Sequence, residues 1–230
     1  MIYVQAPACG LLVRKVNRFL AQVTVEGKEE WAHIPNSGRL AELMIPGAEA
    51  ILDRASNPAR KTPYTLKALR HKGRWVCIDS AIPNALAERM ARAGALPCFI
   101  GYTQVKREHT MGAHRFDLRL DGPGKPPMIV EVKSVTLVRD GAAMFPDAPT
   151  ERGASHVRTL AAMEKKDFAR LVLFVIQRPD AAVFRPNRDT DPEFCDALLA
   201  AARAGVMIHA VRCSVSSRSI SPLSPIPIEL

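Results

Sequence analysis

Short runs in which apolar and polar positions alternate fill residues 1–80: GLLVRKV, FLAQVTV, EAILDRA, YTLKALR and RWVCIDS, separated by turn formers such as EGKEE, IPG and HKG. A period of two marks strands with one buried face, and about five such strands predict a small β-barrel. Beyond residue 80 the period changes. In PNALAERMARAG (83–94), Leu86 and Met90 form a helical stripe, with Asn84 as N-cap and Gly94 at the end. GYTQVKRE, HRFDLRL and MIVEVKSVTLV then read as strands, the last two joined by the turn DGPGKPP. A second helix is predicted over 151–167, and ARLVLFVIQ, PEFCDALLAAARAG and VMIHAVRCSV follow as strand, helix and strand. The order α-β-β-β-α-β-α-β predicts a mixed sheet flanked by helices. The chain thus divides into a barrel over 1–80 and an α/β unit over 81–230. Pro and Ser in SVSSRSISPLSPIPIEL predict an irregular tail.

Charge adds a partner class. Lys and Arg outnumber Asp and Glu by 32 to 23, giving a net charge of +9. Residues 1–80 carry 12 of those cations against 7 acids. Such a balance attracts polyanions through phosphate contacts. SNPARKTPYTLKALRHKGRW (56–75) combines Arg60 and Lys61 with Tyr64 and Trp75, the materials of a groove that follows phosphates and stacks bases. Each residue there also fits a solvated strand face. Arg14, Lys15 and Arg18 lie on the first strand and its turn, and HIPNSGRL adds Asn36 and Arg39 in a loop suited either to DNA contact or to a plain turn.

Other features narrow the setting. Apolar runs such as LVLFVI fall far short of the ~20 residues of a membrane span, and the N-terminus lacks the pattern of a secretory signal, so a cytoplasmic location without membrane association is expected. Five scattered cysteines without a C-x-x-C pair argue against a disulfide framework and a zinc site.

The chemistry concentrates in two strands. Alternation in HRFDLRL sends Phe116, Leu118 and Leu120 to one face and Asp117 to the other. In MIVEVKSV, Glu131 and Lys133 share a face, about 7 Å apart along the strand. Antiparallel pairing across DGPGKPP would bring Asp117 and Glu131 within roughly 5 Å. Two carboxylates that close repel unless a cation lies between them, and oxygen ligands of this kind suit Mg²⁺ or Mn²⁺. The carbonyl of Val132 could add a ligand, and Lys133 could steady the attacking water or the developing phosphate charge. The competing reading is a Glu–Lys pair on a solvent-facing sheet. Glu88 is a third acid: helical periodicity turns it toward solvent, while the helix-strand-strand order turns it toward the pair. Arg152 and His156, spaced i, i+4, share one side of the second helix, where free backbone N–H groups could receive a phosphate.

An Asp, a turn, then Glu131-Val132-Lys133 after a helix with an acid resembles the PD-(D/E)xK nuclease core, with Phe116 in place of the motif's proline. More broadly, RFLAQV, AHIPNSGRL, NPARKTPYT, IPNALAERM, GYTQVKRE, RFDLRL, VEVKSVTLV, AMFPDAPTERGASHVRTL and LVLFVIQRPD resemble the bacterial and archaeal sugar fermentation stimulation protein A family over most of residues 10–180. NSGRL and Pro149 depart from the family pattern. The resemblance implies an OB-like barrel joined to a nuclease-like α/β domain, and a DNA-binding protein linked to regulation of sugar utilisation genes. It matches Asp117, Glu131 and Lys133 to the nuclease motif, and Glu88 by its place on the preceding helix. The expected function is a metal-dependent phosphodiesterase acting on DNA. The alternatives are a non-enzymatic DNA-binding regulator on the same scaffold, and RNA as the substrate. The sequence leaves open whether the chain forms a homo-oligomer.

Overall fold

The computed structural model describes residues 1–5 and 7–230. A two-residue strand, β1 (Ile2–Tyr3), joins the main sheet of the α/β unit, and the barrel follows. β2 (Pro7–Asn17), β3 (Leu20–Val25), β4 (Lys28–His33), β5 (Glu49–Arg54), β6 (Tyr64–His71) and β7 (Arg74–Cys77) lie in the order β4-β3-β2-β5-β6-β7. Parallel pairing of β4 with β6 closes five of these strands into a barrel, with β7 hairpinned onto β6. Leu12, Val23, Leu52 and Leu66 fill its interior.

The closing strand is one that the hydrophobic pattern hides. EGKEE reads as a turn, yet only Glu26 and Gly27 turn, both at positive φ (52° and 78°) as a two-residue hairpin requires. Lys28, Glu29 and Trp31 are then exposed and only Ala32 is fully buried, so β4 buries too little to announce itself.

The α/β unit contains α1 (Ile82–Arg92), β8 (Gln104–Met111), β9 (His114–Asp121), β10 (Met128–Val135), β11 (Val138–Arg139), β12 (Ala142–Phe145), α2 (Glu151–Ala162), β13 (Ala169–Ile176), β14 (Val183–Pro186), α3 (Pro192–Arg203), β15 (Met207–Val215) and β16 (Ser219–Pro225). Its main sheet runs β1-β16-β15-β13-β10-β9-β8, and β11-β12-β14 form a small second sheet. β10 and β13 are central, parallel, and buried on both faces, which explains their near-continuous apolar sequences. Met128, Val130 and Val132 pack with α1 on one face, and Ile129 and Val135 with α2 and α3 on the other. Glu131 and Lys133 alternate onto this second face, beneath α2.

Local expectations change in four places. Pro83 presets helical φ, and α1 begins at Ile82 with Ala81 as a cap that makes no side-chain hydrogen bond; Asn84 lies inside the helix rather than capping it. α2 ends at Ala162, because Met163 turns to extended backbone (ψ 138°), not at 167. The tail is no irregular coil: β16 pairs antiparallel with β15 and carries only β1 on its outer side, a near-edge place that tolerates Pro222 and Pro225. Finally, Phe116 leaves the face of Leu118 and Leu120 and packs with the α2 layer, its ring 5.5 Å from that of His156.

The two units are tied by buried polar contacts. Cys77 N–H of the barrel donates to Gln177 O (3.0 Å). Arg178, 1% exposed, binds Glu42 of the barrel, Asp180 and the carbonyl of Thr136.

Candidate active site

The β9–β10 ladder pairs Leu120 with Met128, Arg119 with Ile129 and Leu118 with Val130, then stops. One further step would have set Asp117 opposite Glu131. Instead the strands part, and the Asp117 carboxylate enters the gap: Oδ2 accepts the Val132 N–H at 2.7 Å, and Oδ1 accepts the Asn84 amide at 2.6 Å. The two acids therefore meet at the mouth of a split sheet rather than across a regular rung.

Glu131 is 4% exposed and Lys133 9%, so the solvent-facing reading fails. Glu131 Oε1 accepts from Lys133 Nζ (2.7 Å) and from His156 Nδ1 (2.8 Å). Oε2 is buried and has no hydrogen-bond partner among the described residues. An ionised carboxylate only accepts, so His156 carries its proton on Nδ1; Arg152 Nε approaches Nε2 at a long 3.5 Å. α2 is aimed at the site by linked caps. Thr150 Oγ1 accepts Gly153 N–H, and Asp191 takes Thr150 N–H on one oxygen and Phe194 N–H of α3 on the other.

The two acids are shifted in opposite directions. Burial first, and then the charge of Glu131, push Asp117 above its ordinary 3.8, against the Val132 N–H, Lys133 and Asn84. Burial also works against ionised Glu131, but Lys133 and His156 together hold it below its ordinary value. A raised carboxylate disfavours folding as pH climbs. Without divalent ions, Asp117→Asn should therefore match the wild type below pH 3.8 and exceed it in stability as pH rises through the elevated native value. Urea denaturation across the acid range checks this, and an Asn variant that is less stable at neutrality contradicts it.

The donors suit a hard divalent ion. A buried, unpartnered Glu131 Oε2 beside Asp117 invites a cation, and two carboxylates with substrate and water oxygens are a set that Mg²⁺-type ions accept. Among the described residues no group of three or more His, Cys, Asp and Glu converges as a metal site. Glu88 does not join the pair. It binds Arg92 (2.9 Å) and stands 3.8 Å from Arg107, on the side that its helical phase indicated. Asn84, one turn earlier on the same helix, reaches Asp117 in its place.

Residues 81–219 match the model described as the sugar fermentation stimulation protein RE domain, and 13–78 match the SfsA N-terminal OB domain. The chain belongs to the sugar fermentation stimulation protein family. Homologues from Moorella thermoacetica and Alkaliphilus metalliredigens are each 43% identical, over 93% and 92% of both chains respectively. A solved Pyrococcus furiosus SfsA structure, described as a complex with Ca²⁺, superposes with a TM-score of 0.90 at 28% identity, covering 100% of this chain and 98% of that one. The OB barrel followed by a mixed sheet with three helices is thus the architecture of the family.

Around the acids the cleft has two adjoining chambers. One is lined by Asp117, Glu131, Asn84, Arg115, Arg152 and His156. The other is lined by Arg18 and Asn36–Gly38 on the barrel side. Val132, Lys133 and Ser134 line both, so the chambers are adjacent. Buried Gln177 supports this wall by donating to Ser134 Oγ (3.0 Å). Of the basic candidates, Arg18 and Arg152 line the cleft, and Arg39 lines a polar pocket that shares Thr136 and Asp147 with it. Asn36 is committed to its turn, accepting Gly38 N–H and donating to Ile78 O. Arg14 binds Gln22, Lys15 the carbonyl of Arg39, and Arg60 Thr65; these three and the exposed Lys61 lie outside the two chambers. Tyr64 is 4% exposed with Arg54 over its ring, and Trp75 is half-buried beneath Arg70, so the proposed stacking groove at 56–75 does not form. Arg115 and Asn84 were not singled out for the site. Arg115 shares the alternation of Asp117, a signal in the sequence; Asn84 gave none beyond a capping preference.

Proposed function

We propose that this chain is a divalent-metal-dependent phosphodiesterase acting on nucleic acid, with DNA as the first substrate to test. The buried, partnerless Glu131 Oε2 beside Asp117, in a cleft rimmed by arginines, carries this reading. Asp117, Glu131 and the carbonyl of Val132 would hold Mg²⁺ or Mn²⁺. When bound, such an ion polarises the phosphate and acidifies a water nucleophile. The protein's own groups do the rest. Lys133 places a positive charge where negative charge grows on the phosphate, and its bond to Glu131 Oε1 fixes its direction. His156 holds the same oxygen and so leaves Oε2 without a protein donor. Exposed Arg115 and Arg152 flank the chamber, suited to phosphates on either side of the cleaved one. Water oxygen attacks phosphorus, the bond to the leaving sugar oxygen breaks, and that oxygen takes up a proton.

A regulator that binds DNA without cutting it is the rival, and one observation favours it: the Lys133 ammonium already balances the charge of Glu131, and His156 donates to the same oxygen. A cleavage assay separates the two. Single- and double-stranded DNA and RNA are incubated with the protein in Mn²⁺, Mg²⁺ or chelator. The phosphodiesterase reading expects products only with metal. Steeply salt-dependent binding without products under any condition supports the regulator.

A further inference from the structure

The barrel carries a feature that the acid pair does not use. Arg18 and Phe19 form the two-residue turn between β2 and β3, a place usually given to small or polar residues, yet Phe19 is 49% exposed. The ring is not loose. Phe19 N–H donates to Asn17 Oδ1 (2.9 Å), and Phe19 O accepts Ile34 N–H (2.9 Å). The His33 ring lies nearly parallel to it (24°, centroids 6.5 Å apart), and the Arg18 guanidinium sits 5.4 Å from its centroid. Trp31, 40% exposed, shares the outer face of β4 with His33 and lies opposite Gln22, which in turn lies opposite Arg14. The result is a ledge of aromatic rings edged by Arg14 and Arg18.

The ledge runs into the cleft. Arg18 Nε donates to Ser37 O (3.1 Å), and Arg18 and Ser37 line the chamber that shares Val132, Lys133 and Ser134 with the acid pair. The far end is closed to a polyanion: Glu29 lies on the same face beyond Trp31, bound by the Gln22 amide. Exposed rings edged by guanidinium groups can stack bases only when those bases are not already stacked in a duplex, while the cations meet the phosphates. A protein partner would gain nothing from cations along the ledge unless it were itself acidic.

We propose that Arg18, Phe19, His33 and Trp31 bind an unpaired nucleic-acid strand that continues through the cleft to Asp117 and Glu131. The preferred substrate then has a single-stranded arm next to the phosphate that is cut. Binding on the ledge is independent of the phosphodiesterase reading; the placing of the arm next to the cut rests on it.

The test uses the full chain and fluorescence anisotropy in chelator, with a labelled single strand, its blunt duplex, and a duplex bearing one single-stranded arm. Phe19→Ala and Trp31→Ala should each weaken single-strand and armed-duplex binding by roughly 5- to 100-fold. Phe19→Tyr should stay near wild type, and blunt-duplex binding should change less than about 2-fold. Both truncated side chains are exposed, and a thermal melt confirms that each variant is folded. Equal losses on all three probes, or no loss on the single strand, overturn the proposal. So does loss of self-association in Phe19→Ala with unchanged strand binding, which would make a second copy the occupant. Ledge binding without any metal-dependent cleavage sinks the phosphodiesterase reading alone. Cleavage that is indifferent to Phe19, with ledge binding intact, sinks the placing of the arm next to the cut.

Discussion

Glu131→Gln should reduce metal-dependent cleavage by at least about 1,000-fold while nucleic-acid binding in chelator stays within a few-fold of wild type. Gln keeps the shape and one acceptor oxygen, so the contacts of Lys133 and His156 to that position can persist. It replaces an anionic donor with a neutral amide in a chamber where Glu131 Oε2 has no other partner. Metal affinity then rests on Asp117, whose ionisation burial already opposes. A second readout does not depend on turnover. Ligand that binds only the folded protein raises its melting temperature, so Mn²⁺ should stabilise the wild type in proportion to the logarithm of its concentration and leave Glu131→Gln unmoved. Equal Mn²⁺ shifts in both proteins would remove Glu131 from the metal site. Unchanged cleavage in the variant would remove the catalytic reading.

The second large effect concerns the joint between the units. Arg178→Ala should cost about 3 kcal/mol, near the lower end of the range for breaking a buried ion pair. Arg178 is 1% exposed and spreads its guanidinium over Glu42, Asp180 and the Thr136 carbonyl, at 2.8, 2.7 and 3.1 Å. Removing it strands two carboxylates and a carbonyl and leaves a cavity. The side chains of Glu42 and Asp180 keep 23% and 20% exposure, so water recovers part of the loss and the upper end is not reached. Burial opposes ionised Asp180, but its bonds to Arg178 hold it below its ordinary 3.8. That contribution is present above pH 3.8 and is lost as pH falls through the lower native value, so the gap between wild type and variant should narrow in acid. Chemical denaturation at neutral and acid pH measures it. Arg178→Lys keeps the charge without the fork and should fall between the two. A loss under about 1 kcal/mol in Arg178→Ala would show that the joint is held by other contacts.

How much of this was readable beforehand differs residue by residue. Alternation alone placed Glu131 and Lys133 on one face, and they do share it, 2.7 Å apart. The same rule misplaced Phe116, because β9 departs from β10 at the point where the ladder ends. Helical phase pointed Glu88 away from the acids, and it lies half-buried beside Arg92 and Arg107, whereas motif order alone had drawn it toward the acids. Tyr64 and Trp75 looked like stacking residues because aromatic type says nothing about exposure; Phe19 and Trp31 hold exposed positions instead. β16 was hidden by its prolines, which a near-edge strand accepts.

Period, turn chemistry and collinear motifs were enough to divide the chain into a barrel and an α/β unit, to order the central strands and to single out Asp117, Glu131 and Lys133, since each depends on neighbours within a few positions. The split between β9 and β10, the arrival of Asn84 and His156 at the two acids, the isolation of Glu131 Oε2 and the joining of the barrel's turn to the cleft came from packing. These depend on contacts between residues 25 to more than 90 positions apart, and local periodicity states which way a side chain points without stating what it will meet.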